Sequence, residues 1–339
     1  MLCYCVCRVR MRVVVVYSDP QFGSHDSLAE GAPVVDVLDS VLPLERAIRE
    51  LGHDCTLLAL APPLEMARGQ LNQLNAADVV FNLFEGFQGC PESEAAIASA
   101  LEEMGLCFTG SPSAALRLGE NKAVAKDVLR WSGVPTPDWQ LLSPHGLMDL
   151  RVKLPCIVKP LAEHGSYGLT EKNVVEAPEA LREQVEFVHQ SYGCPSIVEE
   201  FLPGREFRAL VVGDGHPRVL PVEEIVYRLP AHRPRLLTYR AKWVPDDEYY
   251  VGTEERCPAD VGDDLNEELT RLALRAFAAL GCRGYASVDM RQNRDGRPMV
   301  IDINPNTDIN PAGSTRHPLQ AAGLDYAAFI SELLRLAQA

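Results

Sequence analysis

The sequence predicts a mixed fold in which a parallel α/β domain comes first and α+β units built on antiparallel sheets follow. Its 339 residues exceed what one compact core usually holds, so two or three subdomains are expected. Over residues 11–118, apolar strands alternate with helices, which is the pattern of a parallel α/β domain. Farther along, the short strands "CIVKP", "SIVEEF" and "FRALVV" follow one another closely, which favours antiparallel pairing.

The first domain is predicted element by element from its apolar periodicity. Residues 12–17 are a buried strand, and a helix with apolar residues at helical spacing follows and ends at Gly52. Residues 79–83 are the next buried strand and residues 95–104 the next helix, after which "GLCFTGS" returns the chain to a strand. The apolar side of the first helix consists of Val41, Leu44, Ile48 and Leu51.

The second half begins with a helix over residues 122–131 and contains a long segment without periodicity. Residues 227–262 carry several prolines, and we expect them to form a lid loop. A helix from residue 265 follows, and the turn "NRDGR" joins "YASVDMR" to "MVIDIN" as a hairpin. The predicted organisation is a non-native or disordered start (1–10), an N-terminal α/β domain (11–118), a small lobe (119–203) and a large C-terminal lobe (204–339).

Composition and charge exclude several classes of partner. Hydrophobic residues make up 47% and charged residues 23%, which is ordinary for a globular protein. The net charge is −15 and no Lys/Arg cluster stands out, so neither nucleic acid nor a membrane is an expected partner. The chain has no apolar run of the roughly 18 residues that a span needs, and no secretion signal. The ten cysteines include no CxxC pair, so we expect reduced thiols and a cytoplasmic location; a metal on Cys3, Cys5 and Cys7 is the minor alternative.

The hairpin carries a candidate metal site. Asp302 interrupts the apolar run "MVIDINPNTD", where an ionised carboxylate is costly without a partner. Residues two apart on a strand share a face, so Asp302 and Asn304 point the same way, and Asp289 completes the set if it lies opposite. Such oxygen ligands suit Mg²⁺, which leaves other positions to water and phosphates. From spacing alone, solvent-facing acids on an edge strand remain the alternative.

Two lysines are candidates for phosphate binding. Lys159 leaves a strand just before the loop 163–168, "EHGSYG", and such a loop can offer N–H groups to the same phosphate. Lys122 begins a helix in "NKAVAK". Taken singly, the first pattern is also that of an ordinary turn and the second that of a solvated lysine.

The segment "IVEEFLPGREF" is a candidate nucleotide site. Glu199 and Glu206 flank the apolar Phe201 and Leu202, and such a segment can line an adenine slot. Glu206 would then accept hydrogen bonds from ribose hydroxyls. An amphipathic strand has the same pattern and is the ordinary interpretation.

The order of these motifs points to a known family. The motifs are Asn121-Lys122, Val158-Lys159-Pro160, Gly165-Ser166-Tyr167-Gly168, Val198-Glu199-Glu200-Phe201, Gly204-Arg205-Glu206-Phe207, Val288-Asp289 and Asp302-Ile303-Asn304. In this order they resemble an ATP-grasp ligase, and more closely the D-alanine–D-alanine ligase family and its relatives. The resemblance runs from about Met11 to the C-terminus. It implies an ATP-grasp fold, in which two antiparallel-sheet lobes hold ATP behind an N-terminal α/β domain.

The resemblance also implies a role for each candidate residue. Lys122 and Lys159 would hold ATP phosphates, and Ser166 with its loop would cover them. Lys242, in "TYRAKW", matches a phosphate-contacting lysine of the family's lid. The adenine site would be lined by Glu199, Phe201 and Leu202, and the ribose would meet Glu206. Two Mg²⁺ ions, which Mn²⁺ could replace, would bind Asp289, Asp302 and Asn304.

The amino-acid half of the family pattern is not matched. Glu85-Gly86 stands where the ligases have His-Gly, and Trp243 replaces the lid tyrosine. Asp302 is shorter than the family's glutamate, and Ser287 stands where the family has an oxyanion-stabilising arginine. The glutamate that grips the first D-alanine has no counterpart in "YSDPQFGSHDS". We hypothesise that Arg316, in "NPAGSTRHP", steadies the oxyanion or grips a substrate carboxylate.

The function implied is ATP-dependent ligation of a carboxylate to an amine through an acyl phosphate. The substrates are then small amino-acid-like or peptide-like molecules, with Arg316, Ser166 and Lys242 as the catalytic candidates. One alternative is a ligase or phosphotransferase acting on another small carboxylate, and another is an ATP-binding module without catalysis. A homodimer stays open.

Overall fold

The computed structural model describes residues 10–22, 37–87, 89–90, 92–144, 150–161 and 169–338. These residues form three sheets, one parallel and two antiparallel, as the strand patterns predict. No helix in the described ranges is both long and apolar enough to cross a membrane. Residues 1–9 of the predicted non-native start and the predicted phosphate-covering loop with Ser166 lie outside the described residues.

The N-terminal domain is a three-stranded parallel sheet with helices on both faces. Its elements are β1 (Arg12–Ser18), α1 (Leu38–Glu50), β2 (Asp54–Leu60), α2 (Leu64–Gln70), β3 (Val79–Asn82), α3 (Ser93–Glu103) and α4 (Ser113–Gly119), with the strand order β2-β1-β3. Alternate residues of β1 enter two cores, so Val15 packs with α1 and Val16 with α3. The sequence prediction missed β2. At "GLCFTGS" it was wrong, because the chain makes only the isolated bridge from Val80 to Phe108 there.

The small lobe is a four-stranded antiparallel sheet that follows α5 (Lys122–Trp131). Its elements are β4 (Trp139–Leu142), β5 (Cys156–Pro160), β6 (Val174–Val175), α6 (Pro178–Tyr192) and β7 (Ser196–Glu200), with the strand order β4-β7-β5-β6. Val158 and Val198 pair with each other and pack into one core with α6. Because neighbouring strand residues point to opposite faces, Lys159 and Glu199 project from the other face.

The large lobe is a six-stranded antiparallel sheet with strands β8 (Glu206–Gly213), β9 (Arg218–Val219), β10 (Glu223–Tyr227), β11 (Thr253–Arg256), β12 (Gly284–Gln292) and β13 (Pro298–Asn304). The strand order is β11-β10-β8-β12-β13, and β9 pairs with β8. The later helices of the lobe are α9 (Asp263–Ala279), α10 (Arg316–Ala321) and α11 (Tyr326–Leu336). Phe207, Val288 and Met290 pack on α9. The opposite face therefore carries the residues between them, including Arg208 and Asp289.

The segment 227–262 is more ordered than the predicted loop. It contains α7 (Tyr239–Trp243), α8 (Glu248–Val251) and strand β11, which pairs with β10. Thr238 caps α7 by accepting from the Ala241 N–H at 3.1 Å, and Ala241 packs with Ile225 in a small core. The elements are too short to show a period, and their tertiary contacts hold them, so the sequence predicted a loop where the structure has two short helices and a strand.

A half-buried carboxyl group joins the N-terminal domain to the end of β13. Asn306 Nδ2 donates to Glu94 on α3 at 2.5 Å and to the Phe84 carbonyl at 3.1 Å. Burial raises the pKa of Glu94 from 4.5 to about 7, and the hydrogen bond from Asn306 offsets only part of this rise. The folded protein therefore favours the protonated carboxyl group.

This carboxyl group should make stability depend on pH. Glu94 destabilises the fold only when it is ionised, so the penalty is absent below pH 4.5 and grows as the pH rises through 7. Glu94→Gln cannot ionise and keeps an acceptor for Asn306. Relative to wild type, it should gain about 2–3 kcal/mol of unfolding free energy between pH 4 and pH 8, measured by urea titration. An equal gain for Glu103→Gln, at the exposed end of the same helix, would contradict this explanation.

Candidate active site

A row of charged side chains crosses the polar face of the large sheet. Glu223 on β10 lies directly opposite Arg208 on β8, Arg208 lies opposite Asp289 on β12, and Asp289 lies opposite Asp302 on β13. Directly opposed residues share a face, so all four side chains project to the same side. Asn304 joins the row because it is two residues beyond Asp302.

Asp289, Asp302 and Asn304 offer the oxygen ligands that a hard cation prefers. Asp302 Oδ1 accepts from the Ile303 N–H at 3.0 Å, and Asn304 Oδ1 accepts from the Asn306 N–H at 2.9 Å. Asp289 is 35% exposed, so one side of the set opens away from the sheet. Two facing carboxylates and an amide oxygen with an open side fit Mg²⁺.

A β-bulge lies within this set. Asp289 pairs with Asp302, but Met290 pairs with Val300, so Ile301 is the additional residue of the bulge. Its carbonyl accepts a hydrogen bond from Lys126 Nζ at 3.2 Å. The bulge thus links the metal-site hairpin to the helix that opens the small lobe.

Arg208 lies between the acidic residues of this face. Its Nε donates to Asp289 Oδ1 at 3.3 Å, and its Nη1 lies 3.5 Å from Glu223 and 3.6 Å from Glu255. Burial alone would lower the pKa of Arg208, but these three carboxylates outweigh it and raise the pKa. The guanidinium is therefore charged.

His317 holds the two glutamates beside Arg208. Its Nδ1 is 3.0 Å from Glu223 Oε1 and 3.4 Å from Glu255 Oε2. Burial and then the charge of Glu255 raise the pKa of Glu223 to about 7. The pair of glutamates, Arg208 and His317 form one network that ties β8, β10 and β11 to α10.

Lys242, on α7 in the segment 227–262, interacts electrostatically with the same row of charges. Burial lowers the pKa of Lys242, the nearby charge of Arg208 lowers it further, and Asp289 opposes both effects. The predicted lid lysine and the predicted metal ligand Asp289 thus influence each other electrostatically.

The small lobe supplies a second cluster of charges. Glu199 Oε2 is 3.0 Å from Lys126 Nζ, and Glu199 Oε1 is 3.3 Å from Lys159 Nζ. Burial acts to raise the pKa of Glu199, but the two lysines lower it overall. Asp302 contributes to the electrostatics of both Lys126 and Glu199, so this cluster faces the metal-site hairpin. Lys122 lies one helical turn before Lys126 and is buried.

The candidate adenine and ribose residues lie around a buried arginine. Arg291 Nη1 donates to Glu206 Oε2 at 3.0 Å, and Tyr227 donates to the same oxygen at 2.7 Å. The guanidinium carbon of Arg291 lies 4.9 Å from the centre of the Phe201 ring. Leu202 is buried next to Phe201. Glu206 Oε1 has no hydrogen-bond partner within the described part of the chain.

Arg316 begins α10, and its side chain is exposed. It forms no ion pair with any residue that the structure describes. Its neighbour His317 is the residue that contacts the glutamates of the sheet. The structure thus brings Asp289, Asp302 and Asn304 to one face and Lys159 and Glu199 to the facing lobe.

Sequence reasoning missed several charged residues of these clusters, among them Lys126, Arg208, Arg291 and His317. A signal existed for Lys126, because it lies four residues after Lys122 and hence on the same face of a helix. The other three are recognisable only through strand register or the position of α10. No local pattern marks them.

Comparison with known proteins identifies the family. The family model described as D-ala D-ala ligase C-terminus matches residues 128–335. The chain is 32% identical to a D-alanine–D-alanine ligase of Nitratidesulfovibrio vulgaris, over 86% of this chain and 90% of that protein. It is 30% identical to an uncharacterized protein, y4sG, of Sinorhizobium fredii, over 89% of this chain and 87% of that protein.

A solved structure agrees with the fold. The D-alanine–D-alanine ligase from Bacillus anthracis, complexed with ATP, matches 97% of both chains with a TM-score of 0.73 and 20% sequence identity. The ATP-grasp fold, the family resemblance and the ligase class predicted from the sequence are confirmed. The chain covers more than two thirds of the length of this curated ligase, and the family model matches most of the two ATP-grasp lobes. This chain therefore belongs to the D-alanine–D-alanine ligase family.

Proposed function

We propose that the chain uses ATP to join the carboxylate of one amino-acid-like molecule to the amine of another. The observation that carries this proposal is that two charged surfaces face each other. Carboxylates and an amide suited to Mg²⁺ lie on the large sheet, while Lys126 and Lys159 face them from the small lobe. The lysines and a bound Mg²⁺ would neutralise the polyphosphate charge that otherwise opposes attack by a carboxylate.

The nucleotide would lie between the two lobes. Lys122 and Lys159 would bind its phosphates, Lys242 would approach them from the segment 227–262, and Ser166 would cover them. Glu199, Phe201 and Leu202 would line the adenine slot. The Glu206 Oε1 atom accepts no hydrogen bond from a described residue and would accept one from a ribose hydroxyl.

Asp289, Asp302 and Asn304 would hold two Mg²⁺ ions. When bound, the ions would cancel phosphate charge and align the polyphosphate. Asp302 reaches less far than a glutamate, but its position directly opposite Asp289 keeps the two carboxylates close. The donors are all oxygens, which favours Mg²⁺ or Mn²⁺ over a thiophilic metal.

The chemistry would proceed in two steps. A carboxylate oxygen attacks the γ-phosphorus, the bond to the β-phosphate oxygen breaks, and ADP leaves as the acyl phosphate forms. The amine nitrogen then attacks the acyl carbon, and the carbonyl electrons move to oxygen. Their return expels inorganic phosphate, the nitrogen loses its proton, and an amide remains. Closure by residues 163–168 and 227–262 would exclude water from the acyl phosphate.

Arg316 would grip a substrate carboxylate. Its exposed guanidinium at the start of α10 is available to a ligand, beside Ser314 and Thr315. D-Alanine appears in the name of the ligases to which the chain is similar, so it is the first substrate to test. Glu85, Ser287 and Trp243 depart from the family pattern and favour a different amino acid at one position. The described cysteines are all free thiols, which supports the cytoplasm as location.

An ADP-release assay tests this function. The full chain with ATP and Mg²⁺ is given single amino acids and pairs of amino acids, with D-alanine first. A ligase releases ADP and phosphate only when both a carboxylate and an amine are present, and mass spectrometry finds the amide. ADP release with a single carboxylate and no amide would indicate a phosphotransferase. Tight ATP binding without release under any condition would indicate a binding module and reject the proposal.

A further inference from the structure

Arg208 is buried in a way that the fold does not require. Its side chain is only 10% exposed, among Asp289, Glu223 and Glu255. Burying ions costs several kcal/mol each, and apolar residues of similar size often replace a buried ion pair without loss of stability. The apolar core that packs on α9 lies on the other face, with Phe207 and Ala209. The charged row therefore needs a functional explanation.

The contacts of Arg208 leave part of its fork available. Nε is engaged with Asp289, and Nη1 lies near Glu223 and Glu255. Nη2, unlike Nε, donates no hydrogen bond to any residue in the described ranges. Glu223 and Glu255, themselves held by His317, fix the plane of the guanidinium. A planar donor fixed on two sides and available on the third is suited to an oxygen anion.

Ser287 cannot take the same role. It lies two residues before Asp289 on the same face of β12 and carries only a short hydroxyl group. Its cross-strand partner on β8 is Leu210, which has no donor. The guanidinium next to Asp289 thus comes from the neighbouring strand.

We infer that Arg208 is a catalytic residue of the proposed ligation, and that it stabilises the negative charge on the transferring phosphoryl group and then on the acyl oxygen. Its Nη2 would donate to these oxygens, with Glu223, Glu255 and His317 as positioning residues. This inference rests on the proposed function. It leaves Arg316 to the substrate carboxylate.

Kinetics of Arg208→Met provide the first test. Losing one preorganised donor costs about 10²- to 10³-fold, so kcat and kcat/KM for ligation should fall together by that factor. Nucleotide affinity should change by less than about threefold, because the donor acts on charge that develops later. Arg208→Lys keeps the positive charge but not the fork, and should recover little. If the melting temperature shows that Arg208→Met does not fold, the kinetics of the folded Arg208→Lys variant test the inference instead.

A matched control uses the opposite face of the same strands. Arg205 binds Glu224 with its Nε at 2.7 Å from Oε1, so Arg205→Met removes an arginine–glutamate pair away from the row. Its kcat should stay within about threefold of wild type. Equal losses in Arg205→Met and Arg208→Met would reduce Arg208 to a structural residue and overturn the inference. Turnover by Arg208→Met near the wild-type value would do the same.

A second readout separates this inference from the proposed function. Aluminium tetrafluoride with MgADP mimics a transferring phosphoryl group and needs no amino-acid substrate. It should tighten ADP binding by wild type at least about tenfold and leave Arg208→Met unchanged, while both bind ADP alone equally. Equal tightening in the two proteins, or none in wild type, overturns the role of Arg208. If wild type shows the tightening but releases no ADP with any amino-acid pair, only the proposed ligation fails.

Discussion

Replacing Asp302 by asparagine is expected to lower substrate-dependent ADP release by about 10²- to 10³-fold at saturating Mg²⁺. Asp302 lies directly opposite Asp289, and the two carboxylates are the only negative ligands in the candidate metal set of the described residues. Asparagine keeps the size and one oxygen but loses the charge that holds the ion. The fold should keep its stability or gain slightly, because two facing carboxylates repel each other without a metal.

Two measurements check this prediction. Steady-state ADP release is titrated with Mg²⁺ in wild type and in Asp302→Asn, and urea denaturation is followed without metal. Asp295→Asn is the matched control, since it changes an exposed aspartate in the turn of the same hairpin. Wild-type turnover in Asp302→Asn would show that Asp302 holds no essential metal.

Glu199→Gln is expected to cost about 3–5 kcal/mol of unfolding free energy at pH 7. Glu199 is 1% exposed and is the carboxylate that binds both Lys126 and Lys159. Without it, two lysines face each other with little access to water. Burial already lowers the pKa of Lys126, so the folded protein favours a neutral Lys126 once the carboxylate is gone. The loss should therefore shrink as the pH rises toward 10.5, the ordinary lysine value.

Urea titrations at pH 7 and pH 10 test the size and the sign of this effect. Glu200→Gln changes the next residue of β7, whose side chain points to the opposite face, and should cost less than about 0.5 kcal/mol. A loss in Glu199→Gln that grows with pH would contradict the assignment of the charge cluster. ATP at millimolar concentration should restore part of the stability, since its phosphates would replace the missing negative charge.

The sequence determined the elements whose period is local. The apolar run of β1, the amphipathic α5 and the hairpin of β12 and β13 all follow from spacing and turn residues. The position of Asp302 and Asn304 on one face also follows from the sequence, because side chains alternate along any strand. The family resemblance rested on motifs of the same local kind.

Tertiary structure alone decided which charges meet. Arg208 joins Asp289 through the register of β8 with β12, and Glu223 joins Arg208 through the register of β10 with β8. The carbonyl of Ile301 reaches Lys126 only because a bulge opens the ladder there. Strand order and register depend on long-range packing and on the closure of long loops, so no window of sequence contains them. Local spacing thus determined which side chains share a strand face, and packing across strands determined which charges lie close enough to act together.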